Sequence, residues 1–76
     1  MIWQNFIASD PAVMMGKLCF KGTRIPVELI LEKMGNGESI PSLLESYPSL
    51  NEEAIRAAFL FAAESVKHEL IFSNAS

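Results

Sequence analysis

Gly22-Thr23-Arg24-Ile25-Pro26-Val27-Glu28-Leu29-Ile30 is the stretch on which the fold turns. Gly22 supplies the positive φ that a sharp bend demands. Thr23 is suited to hydrogen-bond the turn or the start of the next element. Pro26 fits the first turn of a helix, where its missing N–H is no loss. From there Val27, Ile30, Leu31 and Met34 recur at i, i+3, i+4 and i+7, which places them on one helical face. Gly35-Asn36-Gly37 then ends the helix with residues that accept a left-handed cap. Upstream, Lys17-Leu18-Cys19-Phe20-Lys21 reads as a short strand. Its pairing partner is the chain around Phe6, beyond the Asp10-Pro11 turn signal. The block therefore converts a hairpin into a helix. It is not a phosphate-binding P-loop, because it lacks the long glycine-rich spacing and the Lys-Ser/Thr ending.

Working outward, Ser39 is a good N-cap for a second helix with Pro41 in its first turn and Ile40, Leu43, Leu44 and Tyr47 on its buried face. Pro48 stops it. Asn51 is a natural N-cap for a third helix, followed by Glu52 and Glu53 where the helix dipole favours negative charge. This helix is expected to run to about Glu69 or Leu70. Ala57 to Ala63 is apolar without interruption, so the phase of the helix has to be chosen. The inward face is read as Ile55, Ala58, Phe59, Ala62 and Val66, with Ala57, Leu60 and Phe61 pointing elsewhere. The expected fold is mainly α: one domain over 1–76, with an arm or hairpin over 1–24, three helices over 25–72 in a helix-turn-helix unit, and a frayed tail over 73–76.

Composition narrows the function. A chain of 76 residues buries a modest core and needs some added source of stability. The single cysteine excludes an internal disulfide, and one Cys with one His cannot fill a structural zinc site. Half the residues are apolar, a surplus that points to association with a second copy or another protein. No signal peptide and no apolar run of ~20 residues is present, so a cytoplasmic chain that avoids the membrane is expected. The net charge of −3 argues against strong non-specific attraction to nucleic acid. The distribution is uneven, however. Lys17, Lys21 and Arg24 are half of the six cations, and no Asp or Glu lies between Pro11 and Val27.

The Gly22–Ile30 block, with Gly37-Glu38-Ser39 and the run from Leu44 to Arg56, resembles the signature of a small prokaryotic family, domain of unknown function four-three-three. The resemblance spans about Asp10 to Ser65. It implies a helix-turn-helix protein of homeodomain-like or winged-helix-like topology. It also implies an antitoxin-like role beside a toxin of the PIN-nuclease-like type.

Each candidate site has a functional and a structural reading. In a helix-turn-helix the third helix presents its first residues to the major groove, which nominates Asn51 and Arg56. The adjacent Glu52 and Glu53 oppose that role, and the alternative is a plain packing unit. Lys17, Lys21 and Arg24 are candidate phosphate contacts near the Gly22 backbone. Alternatively, Arg24 braces the fold by pairing with Glu28, and the lysines serve solubility. Trp3, Phe6, Ala57, Leu60, Phe61 and Glu64 are the candidate surface for a homodimer or partner protein. The alternative is that the N-terminal arm folds over them within one chain. No catalytic residue, cofactor or metal is assigned. Glu28 and Glu32 share a helical face that reads as solvated, Cys19 as a packing residue, and His68 as a surface or helix-end residue. The expected function is a non-catalytic antitoxin-like dimer that binds operator DNA and a cognate toxin. The alternative is a protein-interaction module without DNA binding.

Overall fold

The computed structural model describes the backbone of residues 1–73 and the side chains of 1–68. Two short strands, β1 (Ile7–Ser9) and β2 (Leu18–Phe20), pair antiparallel with Ile7 opposite Phe20 and Ser9 opposite Leu18. Three helices follow: α1 (Val27–Gly35), α2 (Ile40–Ser46) and α3 (Glu52–Ser73). The expected mainly helical unit behind a hairpin is the fold observed. Two 3-10 turns, Trp3–Asn5 and Met14–Gly16, were not anticipated from the sequence. Of the expected tail, Ser73 closes α3, and residues 74–76 lie outside the described residues.

The opening block does what its residues dictate. Gly22 sits at φ +76° in a turn closed by the Thr23 N–H donating to the Phe20 carbonyl at 3.0 Å. The Thr23 hydroxyl donates to the same carbonyl at 2.8 Å and accepts from the Ile25 N–H at 3.0 Å. The chain is thereby folded back along β2, where the Phe20 N–H donates to the Ile25 carbonyl and Cys19 bridges Pro26. Pro26 is the residue just before α1, extended at φ −67° and ψ 139°.

The end of α1 and the starts of α2 and α3 are satisfied locally. Past α1, the Glu38 N–H donates to the Lys33 carbonyl and the Gly37 N–H to the Met34 carbonyl, with Gly37 at φ +98°. This is the paired-bond ending that a left-handed glycine permits. Ser39 Oγ accepts from the Ser42 N–H ahead of α2, and Asn51 Oδ1 accepts from the Ala54 N–H ahead of α3.

Ile30, Leu43, Ile55 and Val27 are the largest fully buried side chains, joined by Ile7, Phe20, Leu50 and the alanines of α3. The phase of α3 differs from the expectation. Ala54, Ile55, Ala57 and Ala58 are buried and Phe61 is half-buried, whereas Phe59 and Val66 face solvent. The buried set still follows i, i+3, i+4 and i+7, starting from Ala54. Packing against α1, α2 and β1 sets this phase together with the N-terminal turn. Trp3 stands edge-on to Phe61, with ring centroids 5.2 Å apart and planes at 68°, and its indole N–H donates to Glu64 Oε2 at 2.7 Å. The first residues thus cover one flank of α3, and the opposite flank is left open.

Candidate functional site

Two surfaces stand out: a cationic cleft over the hairpin and the open flank of α3. The cleft follows from the turn. Reversal at Gly22 brings Lys21 and Arg24 to a depression that is also bordered by Lys17, at the start of β2. Cys19, Phe20, Ala8 and Val13 form its apolar part, and its volume is about 470 Å³. The structure therefore gathers Lys17, Lys21 and Arg24 around one cavity. Asp10 is the one acid on its wall, and its Oδ1 accepts from the Ala12 N–H.

The three cations are not equivalent. Lys17 Nζ lies 2.6 Å from Glu28 Oε1. A hydrogen bond to Glu28, and then the charge of Glu28, hold the Lys17 pKa above its ordinary value. The pairing of Glu28 with Arg24 that the sequence suggested is replaced by this one, because the turn lays the start of β2 beside the first turn of α1. Arg24 and Lys21 make no ion pair among the described residues. A smaller depression of about 150 Å³ adjoins the first, sharing Phe20 and Lys21 with it and reaching Asn51 and Ala54 at the start of α3. Lys21 thus lies between the hairpin and the helix-turn-helix.

The candidate readers at the start of α3 are engaged within the chain. The Asn51 side chain caps the helix. Arg56 is hydrogen-bonded and ion-paired to Glu52, one turn earlier. Both remain at the exposed start of α3, with Glu53 beside them.

The candidate interface residues divide. Ala57 is wholly buried within the chain, so it cannot contribute to an outward surface as expected. Trp3, Phe6 and Phe61 pack against the core of their own chain, and Glu64 is spent on the Trp3 indole. The physical reason is the docked N-terminal turn, which occupies the flank they would otherwise present. Leu60 is exposed as expected, at 44 %. Phe59 at 46 % and Val66 at 53 %, both read as core from the sequence, are exposed too, and share one stripe on the open flank. Sequence reasoning missed them because the unbroken apolar run Ala57–Ala63 carries no polar residue to mark the outer side.

Cys19 is buried and His68 exposed, and no hydrogen bond joins them among the described residues. No group of three or more His, Cys, Asp or Glu that can hold a metal ion occurs among the described residues. No helix among them is long and apolar enough to cross a membrane.

The family model described as protein of unknown function (DUF433) matches residues 7–62, from β1 through the buried part of α3. The chain belongs to the DUF433 family. Among DUF433 structures, a member from Anabaena variabilis superposes with a TM-score of 0.77 at 31 % identity, over 86 % of this chain and 64 % of that one. The uncharacterised protein y4eO of Sinorhizobium fredii is 34 % identical over 59 residues, 78 % of this chain. The chain spans only 27 % of that relative's length. The DUF433 match includes every wall of the cationic cleft but stops short of Val66.

Proposed function

We propose that this DUF433 protein is a non-catalytic, cytoplasmic binding protein of the antitoxin type, working as a dimer through the open flank of α3. The observation that supports this is the exposure of Phe59 and Val66 on one stripe of that flank, with Leu60 to one side, each more than 40 % exposed. Large apolar groups left contiguous at the surface mark a protein interface. A two-fold dimer is self-complementary, so the same apolar stripe on each copy serves both sides of the contact. A cognate toxin, of the PIN-nuclease-like type that the family resemblance implies, is silenced by occlusion on a surface that the dimer leaves free.

The test is the molar mass in solution by light scattering. A dimer that becomes a folded monomer in Phe59→Asp or Val66→Asp supports the reading. A monomeric parent protein, or a dimer indifferent to both changes, refutes it. Co-purification with the product of an adjacent reading frame then assigns the toxin.

Operator DNA is the second part of the reading. The α2–turn–α3 arrangement has helix-turn-helix form, but Asn51 and Arg56 are both engaged and flanked by acids. Absence of any salt-sensitive complex with promoter DNA would select the alternative, a protein-interaction module without DNA binding.

A further inference from the structure

We infer that the hairpin cleft is a phosphate-binding site, in which Lys21 and Arg24 hold a phosphate group over the Gly22 turn. The inference rests on the nucleic-acid part of the reading above and moves the contact from the start of α3 to the hairpin. Four observations carry it. First, the cleft collects half of the chain's Lys and Arg residues, although the chain as a whole is acidic. Second, Lys21 and Arg24 have no carboxylate partner among the described residues; Lys17, Lys33 and Arg56 each have one, and the other cation without one, Lys67, lies apart on α3.

Third, the turn between them offers backbone donors. The Lys21, Thr23 and Ile25 N–H groups are hydrogen-bonded. The alternating Gly22 and Arg24 N–H groups have no acceptor among the described residues. A turn with a left-handed residue and unspent N–H groups is a concavity suited to an anion. Fourth, the approach is open, since a Cβ built on Gly22 would meet nothing within 4 Å. The Thr23 hydroxyl is fully used inside the turn, so it holds the donors in place and is not a ligand contact.

A cavity of this volume is within the size range of small-ligand sites, and its mouth also admits a polymer. The recognised chemistry is therefore a phosphate ester, borne by a nucleic-acid backbone or by a free mononucleotide. Lys21 borders both depressions, so a backbone leaving the cleft continues towards Asn51 at the start of α3.

The experiment titrates the full chain with inorganic phosphate, a mononucleotide and a short DNA duplex at about 50 mM salt, followed by amide NMR and fluorescence anisotropy. The expected result is movement of the Gly22 and Arg24 amide resonances with phosphate-bearing ligands. Duplex affinity should fall about tenfold or more in Lys21→Gln/Arg24→Gln, with the salt slope flattening by about 1.8 for two lost contacts. Lys33→Gln and Lys67→Gln control for net charge, and circular dichroism confirms that each variant is folded. Tight binding of the duplex alone assigns the polymer, and comparable binding of the mononucleotide assigns the free ligand; both support the site. No response to any of the three ligands overturns it, as does binding that survives the double variant but is lost in Arg56→Gln. Neither failure touches the dimer, which is read independently from molar mass.

Discussion

Thr23→Val keeps the shape of the side chain and removes its hydroxyl. In the native turn that hydroxyl donates to the Phe20 carbonyl at 2.8 Å and accepts from the Ile25 N–H at 3.0 Å. The Phe20 carbonyl keeps the Thr23 N–H, so it stays satisfied. The Ile25 N–H loses its one acceptor among the described residues. The lost hydrogen bond costs about 1 kcal/mol, and a half-buried unpaired N–H adds about 1–2 kcal/mol. For a domain of this size each kcal/mol moves the midpoint by about 4–8 °C, so a fall of about 10–20 °C is expected. Thr23→Ser retains both bonds and loses one methyl group, worth under ~1 kcal/mol. Thermal and urea unfolding followed by far-UV circular dichroism measure this, at one fixed protein concentration because association shifts the midpoint. An unchanged urea m-value keeps the comparison within one unfolding process. A valine variant melting within about 2 °C of the parent refutes the role assigned to the hydroxyl. A serine fall as large as the valine one would mean that the methyl, which valine keeps, matters as much as the hydroxyl.

Trp3→Ala removes both the edge-on contact with Phe61 and the indole hydrogen bond to Glu64, and is expected to cost about 2–3 kcal/mol by chemical denaturation. No change in stability would mean that the N-terminal turn does not dock on α3. Met14 and Met15 both adopt positive φ, +49° and +57°, next to Gly16 at +82°. Asparagine tolerates that region better than methionine, so Met15→Asn should raise stability by about 0.5–1 kcal/mol and Met15→Ile should lower it. If the two substitutions act alike, the left-handed turn is not the solution conformation. The Lys17 pKa is raised in the fold, so the contribution of its pair with Glu28 is complete below the ordinary lysine range. That contribution is lost only as pH rises through the raised value, leaving stability near neutrality insensitive to this pair. Glu28→Gln should return the Lys17 titration, followed by NMR at Nζ, towards its ordinary position; an unmoved titration would dissolve the pair.

Local signals carried most of the fold. Gly22, Pro26, Gly37, Ser39 and Asn51 act where backbone geometry or an unpaired N–H demands their chemistry, and those demands are visible in a few adjacent residues. The phase of α3 was not legible, because an unbroken apolar run fits several faces, and contacts with distant elements, Trp3 among them, choose between them. The same distance hid the partner of Glu28, since Arg24 is near in sequence and Lys17 is near in space. For the candidate sites, clustering of Lys17, Lys21 and Arg24 was readable as a gap in the acids, while the exposure of Phe59 and Val66 followed from the phase and was missed with it.

The bond from Trp3 to Glu64 joins positions 61 apart in the chain. During synthesis the indole leaves the ribosome well before its acceptor, which follows only when more than half of α3 has been made. The hairpin and α1 have all their turn and cap bonds available long before that moment. Contacts between residues so distant in sequence are the slow ones to form. The flank of α3 carrying Phe61 therefore emerges uncovered and is closed by a segment synthesised well before it. Anything that holds the first residues back, a bulky fusion ahead of Trp3 for example, prolongs the interval in which Phe61 is open to the wrong neighbour.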